Sequence, residues 1–267
     1  MERYVLSCSF GKDSLASAIL ALYYDEPLTE ALYCETMFDK EISAEVPEHR
    51  AFIYDTAIPW LENHGIKVHV VRGEKTFVDL FQKQIGGDGR HAGKIWAWPL
   101  CGRCYINRDC KVRPMERYKA REWKNDTVIQ YIGIADDEAD RLARLDGTTK
   151  VSLLAKYGKT ETDAVAICRK AGLYSPSYEF TSRNGCFFCP NAKWRELRHL
   201  YDHHPELWKR LLELQALPNK ATDRFTRTER FCDIDEQFRL DDAQLSLFGV
   251  AEPVPFDQTE IQKYAIK

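Results

Sequence analysis

Apolar residues in the first half of the chain fall into short compact runs that alternate with longer helical patterns. The runs at residues 4–6, 31–34, 66–71 and 128–134 are compact enough to predict buried strands. A helical pattern follows the first run, and a longer one covers about residues 44–63. Strands and helices that alternate at this spacing are typical of right-handed crossover units. We therefore predict an α/β fold with a mostly parallel sheet covered by helices on both faces.

The alternation is interrupted between the third and fourth predicted strands. Residues 86–93 are rich in glycine and charge, and the aromatic segment 95–98 and several cysteines follow them. A long irregular insertion in a compact domain is often functional. We therefore expect the chemistry to involve this segment.

The pattern after residue 153 is helical. Thr160 or Thr162 can cap a helix that ends before Gly172. A later helix is predicted over about residues 192–214, and Pro205 is expected to break it in two.

Three parts of the chain follow from these patterns. Residues 1–150 are predicted to form the α/β domain, with a cysteine-rich insertion near residues 86–113, and residues 151–217 a helical segment. Charges and prolines dominate from residue 218 onward, so residues 218–267 are predicted to be an extended or partly disordered tail.

Composition limits the function classes. The 267 residues include 44% hydrophobic ones, and 38 basic against 41 acidic residues give a net charge of −3. This balance lacks a global positive field for nucleic acid, so any site for a polyanion must be local. The sequence has no long apolar run and no signal-peptide pattern, so we expect a cytoplasmic protein without a membrane partner.

A polar loop follows the first predicted strand and contains Ser9, Gly11, Lys12, Asp13 and Ser14. Backbone amides at a helix start, hydroxyls at either end of the loop and one lysine form a concave set of donors for a pyrophosphate. The spacing is not that of a Walker loop. The alternative is an ordinary turn between strand and helix, capped by a serine or an aspartate.

The loop string S-F-G-K-D-S resembles the SGGxDS loop of the PP-loop ATP pyrophosphatases, and Lys12 makes it most similar to the branch that contains phosphoadenylylsulfate (PAPS) reductase. The resemblance covers roughly residues 4–214 and implies an adenine nucleotide alpha hydrolase-like sheet that binds ATP and Mg²⁺. Phe10 stands where the family usually has its first glycine. A bulky residue tolerates positive φ poorly, so we expect a reshaped loop or weaker pyrophosphate binding.

Residues 131–141 resemble a strand followed by the G-I-x-x-x-E-x-x-R segment of PAPS-reductase-like proteins. The resemblance implies that Gly133 and Glu138 lie at the nucleotide and that Arg141 faces a phosphate. Residues three apart on a helical turn are neighbours, so Glu138 can hold Arg141. The alternative is a solvated ion pair. Glu35 and Asp39 lie where related proteins carry acidic residues beside the nucleotide, and a plain solvent loop is the equal alternative.

Two CxxC pairs and one further cysteine indicate a metal centre. The pairs are Cys101 with Cys104 and Cys186 with Cys189, and the further residue is Cys110. An odd total of nine cysteines in this arrangement favours metal binding over a disulfide framework. Two such pairs suit either zinc or an iron–sulfur cluster, and the spacing alone does not choose between them.

The same resemblance favours the cluster over zinc. In PAPS-reductase-like proteins and some tRNA-thiolating PP-loop enzymes, a cysteine ahead of a helix and a later CxxC hold a [4Fe–4S] cluster beside the nucleotide. Cys110, Cys186 and Cys189 match that layout. Three other cysteines are interpreted as core thiols, with a sulfur carrier as the alternative for the first: Cys8, Cys34 and Cys168.

Three weaker signals concern partners. His199 and His203 are four residues apart and could bind metal, although a solvated helix face is favoured. Gln244 to Phe248 spell Q-L-S-L-F, which resembles the peptide that binds the bacterial sliding clamp; a segment folded back on the domain is the alternative. Basic and aromatic residues of the insertion could also follow a nucleic-acid backbone: Arg103, Arg108, Lys111, Arg113, Trp96, Trp98 and Tyr105.

The resemblance implies an ATP pyrophosphatase that adenylates a substrate oxygen and lets a sulfur nucleophile displace AMP. Lys12, Asp13 and Arg141 would be catalytic, with Asp13 capping the loop or meeting Mg²⁺. DNA phosphorothioation ATP pyrophosphatases combine such a loop with clustered cysteines. Nucleic acid, and DNA in particular, is therefore the expected substrate, with a cysteine desulfurase or another sulfur donor as partner.

Two other functions stay open at this point. In a PAPS or APS reductase, a late cysteine in a Glu-Cys-Gly-Leu-His setting attacks the sulfonate, but Cys232 lacks that setting. A non-enzymatic nucleotide-binding regulator associated with DNA machinery is the second, and Phe10 supports it.

Overall fold

Five strands form one wholly parallel sheet in the computed structural model, which describes residues 1–99 and 104–247, with side chains up to residue 244. The sheet order is β3-β2-β1-β4-β5. The strand bounds are Glu2–Ser7 (β1), Glu30–Glu35 (β2), Lys67–Arg72 (β3), Thr127–Ile132 (β4) and Lys150–Val151 (β5). The predicted α/β class and parallel sheet are confirmed.

Helices connect and cover the strands. Their bounds are Lys12–Tyr23 (α1), Pro47–Phe52 (α2), Ile58–Asn63 (α3), Phe77–Phe81 (α4), Arg113–Glu122 (α5), Ala139–Leu142 (α6), Leu153–Lys156 (α7), Glu161–Lys170 (α8), Trp194–His203 (α9), Pro205–Ala216 (α10) and Phe231–Leu247 (α11). Thr160 caps α8 in a capping box, and α10 begins at Pro205, as the sequence predicts.

Both faces of the sheet are buried. Leu6 packs with α1, α3, α7 and α8 on one face, whereas its neighbour Val5 packs with Leu32 and Trp123 on the other, where α5 lies. Successive side chains of a strand point to opposite faces, so adjacent residues of β1 serve two layers.

Two wide helical turns interrupt the helices just before prolines. One π turn spans Ile53–Ala57, ahead of Pro59, and another spans Asn107–Val112, ahead of Pro114. A proline in a helix cannot donate to the carbonyl four residues earlier and clashes with it. A wider turn accommodates this conflict, and such turns are frequent at functional sites.

A second hydrophobic core is built mostly from helices. Side chains from α4, α9, α10 and α11 meet there, with rings from the loops between them. Phe231 and Phe238 of α11 are fully buried, and Trp208 Nε1 of α10 donates to Asp235 Oδ1 at 2.8 Å. The prediction of an extended tail from residue 218 is therefore wrong for residues 231–247. The buried apolar positions there are three and four residues apart, which is the spacing of one helix face, although charged residues lie between them.

The clamp-like segment lies partly outside the described residues. Gln244 is exposed near the end of α11, and the backbone continues the helix to residue 247. Phe248 lies outside the description. Within the described part of the chain, none of the helices is both long and apolar enough to span a bilayer.

Candidate active site

The polar loop after β1 places its residues around the first turn of α1. Gly11 is the extended residue before the helix, with φ −74°, and Ser14 Oγ donates to the Gly11 carbonyl at 2.9 Å. The Lys12 amide donates to Tyr178 Oη at 2.9 Å. Tyr178 lies 166 positions away in sequence. No sequence pattern links it to the loop, so the motifs do not predict this contact.

Gly133 lets the end of β4 approach this turn closely. A Cβ at position 133 would lie 2.6 Å from both the Asp13 carbonyl carbon and the Ser14 amide nitrogen. Contacts this short do not occur between real side chains and backbone. The structure thus gives Gly133 a steric role, and its place at the nucleotide stays a prediction.

A cleft of about 350 Å³ opens between the carboxyl ends of β1 and β4. Its lining is Ser7, Ser9, Gly11, Asp13, Ser14, Ile132, Gly133, Ile134 and Arg141. A second cleft of about 340 Å³ adjoins it and shares Arg141. The strand order reverses between β1 and β4, and open parallel sheets bind ligands outside the strand ends at such a point.

Phe10 does not line either cleft. Its φ is 57°, its side chain is fully buried, and its ring meets Tyr33 edge-on at 5.0 Å between centroids. The ring packs into the core on the Leu6 face of the sheet, so it does not close the cleft. The φ value agrees with the expectation that this position needs a residue tolerant of positive φ.

Acidic groups surround the lysine of the loop. Lys12 Nζ lies 2.7 Å from Asp13 Oδ1 and 3.3 Å from Glu161 Oε1. Burial raises the pKa of Asp13, Lys12 offsets part of that rise, and the negative charges of Glu161 and Glu138 add to it. Carboxylates gathered at a phosphate loop are the oxygen ligands that Mg²⁺ uses together with phosphate oxygens.

Glu138 holds Arg141, as their spacing predicts. Arg141 Nη1 donates to Glu138 Oε1, and Glu138 Oε2 accepts a bond of 3.1 Å from the Ala135 amide. Arg141 is half exposed and lies in the wall of the cleft. It can therefore present its remaining donors to an anion there.

Glu35 has a structural position rather than one in the cleft. It is fully buried at the end of β2, where Arg50 Nε (2.8 Å), Arg72 Nη2 (2.7 Å) and Tyr54 Oη (2.7 Å) contact it. Burial opposes its ionisation, but these three partners outweigh burial and lower the pKa of Glu35. Asp39 caps a turn and lies 3.0 Å from Arg210. Neither residue lines the two clefts.

The cysteines of the predicted metal centre come from separate elements. Cys110 is buried in the π turn before α5, and Cys186 lies in an antiparallel bridge with Glu45. The Cys189 amide donates to the Cys186 carbonyl at 3.0 Å, which closes the CxxC turn. Cys104 is exposed, and Cys101 lies outside the described residues.

The surroundings of these thiols disfavour their charged form. Burial raises the pKa of Cys110 to about 12, and burial also raises those of Cys186 and Cys189. The negative charge of a Cys104 thiolate raises all three of these pKa values further. Lys111 opposes the rise at Cys186. A metal centre would remove this penalty, because its positive charge keeps the thiolates deprotonated.

The described thiols do not form a ready-made tetrahedral site, and the choice between zinc and a cluster stays a prediction. Tetrahedral zinc with bonds of about 2.3 Å brings its sulfurs to about 3.8 Å from one another. Among the described residues, no three cysteine sulfurs lie within 4.8 Å of each other.

Cys8, Cys34 and Cys168 are buried thiols, as interpreted from the sequence, and Cys232 is partly exposed. Cys34 Sγ donates to the Cys110 carbonyl at 3.3 Å, and Cys168 Sγ donates to the Lys12 carbonyl at 3.1 Å. Burial raises the pKa of Cys8 to about 11. A thiol with such a pKa is a weak nucleophile at neutral pH, which favours the core role over the sulfur carrier.

The described basic and aromatic residues of the insertion differ in exposure. Trp98 is buried in the second core, and Tyr105 Oη donates to the Ala97 carbonyl. Arg108 and Arg113 both pair with Asp109. Arg108 and Arg113 remain exposed beside Asp109, so the nucleic-acid track stays a prediction for them. Arg103 lies outside the described residues.

The chain is thus an α/β protein with a parallel sheet and a cleft at its strand ends. No protein-family model and no curated protein matches the chain. Among solved structures, it is similar to "U34-tRNA thiolase NcsA from Methanococcus maripaludis with its [4Fe-4S] cluster". The identity is 17%, the match covers 88% of this chain and 80% of that one, and the TM-score is 0.40.

Proposed function

We propose that the chain is an ATP-dependent sulfurtransferase of the PP-loop ATP pyrophosphatase type. One observation supports this most. The cleft lined by Ser9, Gly11, Asp13 and Arg141 opens at the strand ends, and the Cys110 segment packs against the end of the same sheet. A phosphate site beside grouped thiols suits an enzyme that activates an oxygen and replaces it with sulfur.

The chain's own groups would bind and orient the ATP phosphates. Amides at the start of α1 and the Ser9 hydroxyl would face the pyrophosphate, and Lys12 and Arg141 would neutralise its charge. Asp13, with Glu138 and Glu161 near it, would hold Mg²⁺. The adjoining cleft beside Arg141 has room for the rest of the nucleotide.

The proposed reaction has two steps. A substrate oxygen attacks the α-phosphorus of ATP, the bond to the pyrophosphate breaks, and pyrophosphate leaves with both electrons of that bond. Sulfide then attacks the atom that carries the adenylated oxygen, and AMP leaves with that oxygen. A [4Fe–4S] cluster held by Cys110, Cys186 and Cys189 would keep one iron without a protein ligand, and that iron would carry the sulfide.

Nucleic acid is the proposed acceptor, and DNA of the phosphorothioation type is preferred within that class. The loop and the clustered cysteines resemble those of the DNA phosphorothioation enzymes. A cysteine desulfurase or similar donor would supply the sulfur, and residues 244–248 are proposed to bind a sliding clamp. Mass spectrometry of nucleic acid from cells with and without the gene tests the acceptor, because sulfur-containing nucleotides should disappear with the gene.

Pyrophosphate release tests the loop. Lys12→Ala and Ser14→Ala should each lower ATP turnover by about 100-fold or more, because each removes a phosphate contact. Lys124→Ala changes an exposed lysine away from the cleft and serves as the matched control. Wild-type turnover in both loop variants would contradict the proposal.

Anaerobic purification tests the cluster. We expect a brown protein with about four irons per chain and broad absorption on the order of 400 nm. Cys110→Ser and Cys186→Ser should lose the colour, whereas Cys168→Ser should keep it. A colourless chain with stoichiometric zinc bound to sulfur would reject the cluster.

A further inference from the structure

Three metal-ligating side chains meet outside the active site and the cysteine group. Glu48 lies in the first turn of α2, His199 in α9, and His204 between α9 and α10. One ligand atom from each lies within 4.8 Å of the other two. Glu48 Oε1 contacts His199 Nε2 at 2.7 Å and His204 Nε2 at 2.8 Å.

The break between α9 and α10 brings the two histidines together. His204 has φ −132° and ψ 59°, so it leaves the helical path just before Pro205. Its ring can then turn toward His199 and Glu48. His203, the partner that a four-residue helical spacing suggests for His199, is exposed and does not belong to the group.

One atom of the group lacks a partner. Glu48 Oε2 is buried and accepts no hydrogen bond from the described residues, while Oε1 accepts two. Burying a carboxylate oxygen without a donor costs free energy. A cation bound by this carboxylate would satisfy the second oxygen.

We propose that Glu48, His199 and His204 bind a zinc-class divalent cation. Two imidazoles and one carboxylate favour zinc over magnesium or calcium, which prefer oxygen ligands alone. Zinc bonds of about 2.0–2.2 Å in a tetrahedron separate the ligand atoms by about 3.3 Å, so small side-chain rotations suffice. Water would fill the fourth position.

Neighbouring contacts support the ligand set. Phe180 stacks on His199, with 3.5 Å between ring centroids and 6° between planes, which fixes the orientation of the imidazole. His199 also lines a small cavity of about 60 Å³ with Cys186 and Cys189. The ion would fasten α2 to the junction of α9 and α10. This site does not depend on the proposed sulfur transfer.

Zinc binding by the full chain tests the site, with Zn²⁺ alone as the probe and metal content measured after dialysis. Glu48→Gln and His204→Gln should each lose one zinc per chain or bind it at least about 10-fold more weakly. His203→Gln, a histidine at the same helix end, should keep it. Added Zn²⁺ should raise the melting temperature of the wild type and of His203→Gln only.

Cobalt substitution separates this ion from metal held by cysteines. Co²⁺ bound by nitrogen and oxygen alone lacks the sulfur charge-transfer band that thiolate ligands produce. We expect such a band-free Co²⁺ species in the wild type and its loss in both ligand variants. Equal zinc affinity in Glu48→Gln, His204→Gln and His203→Gln would overturn the proposal, and so would cobalt found only with the sulfur band. Circular dichroism confirms that each variant is folded.

Discussion

Gly133 sets how closely β4 can approach the first turn of α1. A methyl group at this position would lie 2.6 Å from backbone atoms of Asp13 and Ser14, and backbone cannot rotate away as a side chain can. Gly133→Ala should therefore cost about 1–3 kcal/mol of unfolding free energy and weaken ATP binding. Calorimetry and denaturant unfolding measure both effects.

Gly89→Ala is the matched control, because a Cβ at position 89 meets nothing within 4 Å and φ there is not positive. It should stay within about 0.5 kcal/mol of the wild type and bind ATP normally. If the two alanine variants behave alike, the close contact at Gly133 does not shape the loop.

Phe10 combines an unfavourable backbone with favourable packing. A left-handed conformation costs a residue other than glycine about 1–2 kcal/mol, whereas loss of a buried phenylalanine ring costs about 3–5 kcal/mol. Packing is the larger effect, so Phe10→Gly should lower the unfolding free energy by about 2–3 kcal/mol. ATP affinity should change little, because the ring lies outside the cleft. A variant as stable as the wild type would show that the ring contributes nothing.

At the scale of single residues, the sequence predicts the polar loop after β1 better than it predicts the residues that contact this loop. The pair Glu138 and Arg141 follows from helical spacing alone, and the structure confirms it. Tyr178 and the partners of Glu35 come from distant segments, so only the tertiary fold brings them into contact. Local patterns carry no information on such contacts.

Among the elements, α11 is the one whose packing the sequence does not predict. Phe238 is fully buried beside Trp208 of α10, whereas Leu240 on the same helix is 51% exposed. Phe238→Ala should cost about 3–5 kcal/mol, because it leaves a cavity in the second core. Leu240→Ala should stay within about 0.5 kcal/mol. Chemical unfolding of both variants tests this, and equal losses would mean that α11 does not belong to the core.

The sequence predicts the strands of the sheet well, with the exception of β5. That strand has two residues, which are too few for a pattern. The helix over residues 47–63 is also predicted, but its π turn is not, because a wide turn has no apolar period of its own. The helix α11 is not predicted either, because charged residues surround Phe231 and Phe238 and obscure the three- and four-residue apolar spacing.

For the molecule as a whole, His49 makes stability depend on pH. It is buried in α2, its Nδ1 lies 3.0 Å from Ser175 Oγ, and burial lowers its pKa from 6.5 to about 4. In the unfolded chain His49 therefore binds a proton below pH 6.5. In the folded chain it binds that proton only below about pH 4. The contribution of His49 to the unfolding free energy is complete above pH 6.5. It is lost as the pH falls toward 4, and the loss is about 3 kcal/mol.

His49→Gln should remove this part of the acid sensitivity. Urea unfolding at several pH values should show a smaller loss of stability between neutral pH and pH 4 in the variant than in the wild type. The exposed His64 provides the control, since His64→Gln should leave the wild-type pH profile in place. Parallel profiles for wild type and His49→Gln would contradict the assignment.

For the proposed sulfur transfer, the strand order sets a distance that the acceptor group must cover. β2 ends beside Cys110 and β4 ends at the cleft, with β1 between them. Neighbouring strands lie about 4.8 Å apart, so the two ends are about 10 Å from each other. The hydrogen-bonded sheet keeps this interval constant. A reacting group on a flexible arm about as long as one nucleotide unit would reach both ends in turn without any movement of the protein.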